Sequence, residues 1–144
     1  MISVILPTFN EIDSGYLSLI MSRLARLRQA EILVIDGGST DGTVEFTAEH
    51  GVEVLSLPGS SRAARLNLGI KQSQGEMLLL HHPRSLIEPD DIEAMRTLSD
   101  GDQLTWGGFT HQFDSDHPLL RFTSWYSNHI RCDRFGIVYL DHCV

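Results

Sequence analysis

The sequence predicts an α/β fold, a mainly parallel sheet sandwiched by helices, and three observations predict it. Apolar, β-branched runs recur at 2–6, 31–35, 52–57 and 76–80. The stretches between them carry apolar residues at helical spacing. The connections are short, and strand–helix alternation with short connections gives parallel strands covered by helices.

Each element has its own reason. Residues 2–6 form an apolar run stopped by Pro7, which cannot donate to a ladder. The 13–29 stretch places Leu17, Ile20, Met21, Leu24 and Leu27 on one helical face, with Asp13 or Ser14 as cap and three arginines toward its end. Residues 31–35 read as a second buried strand ending in Asp36. A short helix then runs to about His50, and Gly51 ends it. Residues 52–57 alternate as a third strand, and Pro58 to Ser61 make a turn. The 62–74 stretch is helical through Ala63, Leu66 and Ile70, and 76–80 is a fourth strand. Pro89 begins a helix to about Leu98. Residues 103–113 read as a strand with an irregularity at Gly107-Gly108, 118–131 as a helix, and 138–140 as a last short strand.

Composition bounds the function. The chain has 144 residues, the size of one domain, with 42% hydrophobic and 21% charged residues, which excludes a long disordered chain. Eleven Lys and Arg against 19 Asp and Glu give −8, which argues against a nucleic-acid partner and against an electrostatic lipid anchor. Cys132 and Cys143 form no metal-type spacing and read as two reduced, buried thiols. The N-terminus has no basic targeting region, and no apolar run reaches transmembrane length. The expected location is the cytoplasm, with peripheral contact at the inner membrane face left open.

In open α/β sheets, ligands bind at the carboxyl ends of the strands, which singles out loops 7–13, 36–43, 58–62 and 81–88. Pro7, Thr8, Asn10 and Glu11 offer short polar groups and a carboxylate, as a plain turn also would. Asp36 followed by Gly37 and Gly38 puts a carboxylate where base or sugar groups can bond it, with the glycines admitting a close ligand; a capped tight turn is the alternative. The stretch is neither GxGxxG nor a P-loop. Arg62 and Arg65 share one face near a helix N-terminus, where cations oppose the dipole. A pyrophosphate would explain them, and so would a solvated basic face. His81 and His82 are adjacent, and neighbours on an extended chain point apart, which weakens a metal reading. Glu88, Asp90 and Asp91 decorate a first helical turn.

ISVILPTFNE at 2–11, EILVIDGGSTDGT at 31–43, Arg62 with Asn67 and Gly69, QGEMLLLH at 74–81, and FDSDHPLLRF through FGIVYLD between 113 and 141 carry a resemblance across nearly the whole chain. It is to the family 2 glycosyltransferases of the GT-A fold, and within them to a small bacterial subgroup. The resemblance implies a Rossmann-like, nucleotide-diphospho-sugar transferase fold over 1–144. Residues 1–100 would be its nucleotide-binding part and 101–144 part of its acceptor side. It implies a nucleotide-diphosphate sugar as donor, UDP-linked, and an acceptor of unspecified kind. Thr8 and Glu11 would lie beside the nucleoside, Asp36 on uracil or ribose, and Arg62 near the diphosphate. Pro7, Asn10, Gly37, Gly38, Arg65, Asn67 and Arg84 complete the expected nucleotide-sugar site. A divalent metal, Mg²⁺ or Mn²⁺, would sit at a DXD-type motif after the fourth strand.

Two departures qualify the match. His81-His82-Pro83-Arg84 stands at that motif, with Pro83 at the metal-binding aspartate and no donor atom to offer. Arg84 can supply positive charge instead, and His81 or His82 is a weak substitute ligand. Relatives run on through a segment carrying the usual base. Asp141 falls in the acceptor region as the single candidate, with the base itself unassigned. A non-catalytic binding or assembly relative is the second reading. A generic nucleotide-binding domain is the third, although residues 7–11 contain no glycine. Leu119, Phe122, Trp125 and Tyr126 form a stripe expected in the core or, if uncovered, at a homodimer contact.

Overall fold

The computed structural model describes residues 1–99, 106–138 and 143. Strands β1 (Ile2–Thr8), β2 (Ala30–Asp36), β3 (Glu53–Ser56) and β4 (Met77–Leu80) form one parallel sheet in the order β3-β2-β1-β4. Helices α1 (Tyr16–Leu24), α2 (Thr43–Glu49), α3 (Arg62–Gln72) and α4 (Pro89–Ser99) connect or follow the strands. The expected mainly parallel sheet with helices on both faces is therefore the observed one.

Side-chain alternation along the two central strands divides the core between two faces. Ile2, Val4 and Leu6 of β1 pack with Val34, with Leu17, Ile20, Met21 and Leu24 of α1, and with Ile92 of α4. Ile5, Leu33 and Ile35 point the other way, onto Leu66 of α3. Each fully buried aliphatic side chain contributes roughly 1.5–3 kcal/mol. A Cβ at Gly69 would collide with the Ile5 side chain, so α3 lies close against the sheet because that position has none.

Pro7 does not stop β1. It lies within the strand, paired with Ile35, and β1 continues to Thr8 opposite Asp36. The Ile5 carbonyl accepts from His81 on the β4 side, and Pro7, two residues on, faces that same side. There β4 has already ended at Leu80, opposite Ile5. The missing proline N–H therefore costs no ladder bond.

The first helix also differs from its expectation. A short 3₁₀ turn, Ile12–Ser14, comes first, and α1 begins only after Gly15, whose φ is 74°. Ser14 Oγ accepts from the Tyr16 amide at 3.2 Å, and the chain turns out of the helix after Leu24. Of the strand expected at 103–113, residues 106–113 are irregular, and 103–105 lie outside the described residues. Val138 is not in a strand, and 139–140 lie outside too.

Helix α5 (Pro118–Tyr126) is capped by His117, whose Nδ1 accepts from the Leu119 amide at 3.3 Å. It runs on as a wide π-turn, Ser127–Cys132, and then α6 (Asp133–Phe135). The apolar stripe is not core: Leu119 is 64% exposed, Phe122 58% and Trp125 50%. The aromatic rings meet one another instead, Phe122 lying 5.9 Å from Trp125 in a tilted pair and 6.2 Å from Tyr126 in a stacked one. Cys143 is buried and Cys132 only half-buried, and neither forms a disulfide. No helix among the described residues is long and apolar enough to cross a membrane.

Candidate functional site

The sheet order reverses direction between β1 and β4. Successive connections place β2 and β3 on one side of β1 and β4 on the other. Such a switch point leaves a crevice beyond the strand ends, where open α/β sheets bind ligands.

At the β1–β2 side of this crevice the polar groups are tied together. Asp36 is buried at the end of β2. Its Oδ1 accepts from the Gly38 and Ser39 amides at 2.8 and 2.7 Å, and its Oδ2 from Thr8 Oγ1 at 2.9 Å and Ser39 Oγ at 2.5 Å. Burial raises the Asp36 pKa, but these four donors together outweigh it and hold the carboxyl below the usual 3.8. Asp36 therefore stays an anion that shapes the Gly37-Gly38 turn. Gly38 adopts φ 97°, a conformation that favours glycine.

The loop after β1 is stapled to the loop after β2. Asn10 N donates to Ser39 Oγ at 2.8 Å, and Thr40 N returns a bond to Asn10 Oδ1 at 2.9 Å. The Glu11 amide donates to Thr43 Oγ1 at 2.9 Å and the Ile12 amide to Asp41 Oδ2 at 3.1 Å. Asp41, held by Thr43 as well, also titrates below 3.8; burial pushes it up and the hydrogen bonds pull it further down. Ser39, Asp41 and Thr43 are thus structural members of the site. The sequence marks this stretch only as a possible capped tight turn, because a partner some 30 residues away leaves no local signal.

Two guanidinium groups complete the arrangement. Arg65, on the second turn of α3, donates through Nη1 to the Thr8 carbonyl and lies 6.0 Å from the Phe9 ring centroid. Its position explains Gly37, where a Cβ would meet that same Nη1. Arg84 donates through Nε to Glu11 Oε2 at 3.0 Å, and the Glu11 side chain is 8% exposed against 58% for Arg84. A buried carboxylate needs such a partner. The Arg84 amide donates to His82 Nδ1 at 3.1 Å, which fixes the loop.

The structure thus brings together Thr8, Asn10, Glu11, Asp36, Gly37, Gly38, Arg65 and Arg84. Arg62 opens α3 one turn before Arg65. Pro7 is buried within the strand, and Asn67 is exposed on α3 and joins none of these contacts. Asp141 lies outside the described residues.

The divalent metal implied by the resemblance can be tested against the donors present. His81 is fully buried, with Nδ1 on the His82 carbonyl at 2.8 Å, and burial lowers its pKa from 6.5 to about 4. His82 Nδ1 is taken by the Arg84 amide. Pro83 has no donor, and Arg84 is a cation. Among the described residues no group of three His, Cys, Asp or Glu side chains is placed to hold a metal ion. The donor set at 81–84, two imidazoles with Nδ1 engaged, a proline and a cation, offers no carboxylate and fits a divalent metal poorly.

Comparison with known proteins gives the context. The family model described as "Glycosyl transferase family 2" matches residues 3–138. An uncharacterized glycosyltransferase of Rickettsia conorii is 32% identical over 96 residues, 64% of this chain and 16% of its own length. S. aureus TarS 1-349 in complex with UDP-GlcNAc superposes with a TM-score of 0.59 at 25% identity, over 69% of this chain and 31% of that one. The mannosyltransferase PcManGT from Pyrobaculum calidifontis, in complex with GDP-Man and Mn²⁺, gives 0.61 at 19% identity over 85% and 37%, a likeness of fold. The chain thus spans well under half the length of each of these proteins.

Proposed function

The chain belongs to glycosyl transferase family 2, and from that premise we propose that it binds a nucleotide-diphosphate sugar, UDP-linked, and takes part in moving the sugar to an acceptor. Residues 1–100 act as the nucleotide-binding part and 101–144 as part of the acceptor side.

One observation carries this reading. Glu11 with Arg84, and Thr8 with Arg65 and Asp36, converge from separate elements on the crevice where the sheet order reverses. A chain of net charge −8 that binds an anionic diphosphate must concentrate cations locally, and Arg62, Arg65 and Arg84 border this crevice. The nucleoside lies against loops 8–11 and 36–39, whose amides and hydroxyls are already oriented. In the transfer, an acceptor hydroxyl gives its proton to a general base and attacks the anomeric carbon, and the bond to the diphosphate oxygen breaks. The electron pair leaves on that oxygen. Fixed positive charge beside the departing diphosphate lowers the barrier, because it acts where charge develops.

Isothermal titration of the chain with UDP, GDP and the corresponding nucleotide sugars tests the reading, with circular dichroism confirming the fold. Saturable binding of at least one nucleotide, strongest for a UDP compound, is expected. A folded chain that binds none of them overturns it.

A further inference from the structure

We propose that Arg84, held in place by buried Glu11, is the cation that receives the donor's diphosphate, so that nucleotide binding by this chain needs no divalent metal. The inference rests on the nucleotide-sugar reading above and says how that site neutralises its anion.

Place comes first. The loop 81–84 leaves β4 at Leu80, three residues short of the end of β1, and passes the side of β1 that Pro7 leaves without a donor. Arg84 reaches Glu11 just beyond the end of β1, so the ion pair spans the switch-point crevice.

The geometry of the pair comes next. Glu11 takes Nε, the one hydrogen bond or ion pair of the Arg84 side chain among the described residues. Among the described residues neither terminal nitrogen has a partner, and the side chain is 58% exposed. A guanidinium gripped at Nε keeps its outer edge as a two-pronged donor, the arrangement that suits phosphate oxygens. The buried carboxylate also fixes the plane of that fork. Its rotamer entropy is spent on folding rather than on binding.

Asp36, the nearest strand-end carboxylate, has both oxygens committed to four donors. The 81–84 loop contributes a buried imidazole, an occupied one, a proline and a permanent cation. A divalent ion placed there would meet Arg84 as a like charge and find no carboxylate in the loop. The donor set suits an anion, and a forked guanidinium edge suits the oxygens of a phosphate.

The experiment compares UDP and GDP with uridine and guanosine on the folded chain, by calorimetry and saturation-transfer NMR, in EDTA and in Mn²⁺. Equal nucleotide affinity in EDTA and Mn²⁺ is expected. Arg84→Ala should weaken diphosphate binding about tenfold or more, a larger loss than any in nucleoside binding, with Arg84→Lys recovering part of it. Nucleotide binding that appears only with Mn²⁺, or that Arg84→Ala does not weaken, overturns this inference and leaves the nucleotide-sugar reading standing. No binding in any arm by a chain with native circular dichroism overturns both.

Discussion

β1 and α5 are both apolar segments, and they end in opposite surroundings. All seven residues of β1 are buried, with β2 and β4 alongside and a helix layer on each face. α5 leaves Leu119, Phe122, Trp125 and Tyr126 exposed and packs mainly on its own continuation through the π-turn. Two side-chain bridges tie this region to the irregular segment before it, Asn128 to the His111 backbone and Ser124 Oγ to the Phe113 amide. The contrast shows where order is built in. At the ends of β1 and β2 the Asn10, Glu11, Ile12 and Thr40 amides and the Asp36 and Asp41 carboxylates meet partners across the two loops, so the cations there are held on a rigid frame. Around α5 the described residues supply local hydrogen bonds and no apolar cover.

Breaking the better-packed region should cost the most. Leu6→Ala removes a fully buried side chain from the centre of the sheet and should destabilise the fold by about 2–5 kcal/mol in chemical denaturation. A loss below about 1 kcal/mol would mean that the site's frame does not depend on β1 packing. His81 sharpens the comparison through pH. Burial lowers its pKa to about 4, so the unfolded chain takes up a proton there before the folded chain does. Its contribution is complete above about pH 6.5 and is lost as pH falls toward 4, with an amplitude on the order of 3 kcal/mol. Denaturation midpoints from pH 7 to 4 should show that slope, and His81→Leu should flatten it. The smallest effect belongs to α5. Leu119→Gln keeps a good helix former at a 64% exposed position and should change stability by less than about 0.5 kcal/mol. A loss comparable to that of Leu6→Ala would show that this face is covered in solution, and the contrast would fail.

The site was partly legible beforehand. Thr8, Glu11, Asp36 and Gly37 lie at or just past strand ends, and a continuous apolar run giving way to polar and glycine residues shows that directly. The partnership of Arg84 with Glu11 spans 73 positions and left no trace in either loop. Asn67 looked as eligible as Arg65. Only the packing of Leu66 and Gly69 onto the sheet turned the helix so that Arg65 reaches Thr8 and Asn67 does not.

By itself the sequence determined the alternation of four strands with helices, the crevice loops and the family signature, because backbone periodicity and turn chemistry are local properties. The tertiary structure alone decided three other matters. Pro7 lies harmlessly inside β1 because β4 stops early, which depends on which strands are neighbours. The apolar stripe of α5 stays uncovered, since burial belongs to the whole arrangement and not to a segment. Glu11 and Arg84 form a fixed ion pair because the fold carries two loops, distant in sequence, to one end of the sheet. Their distance in space is set by sheet order, and no local stretch of chain encodes it.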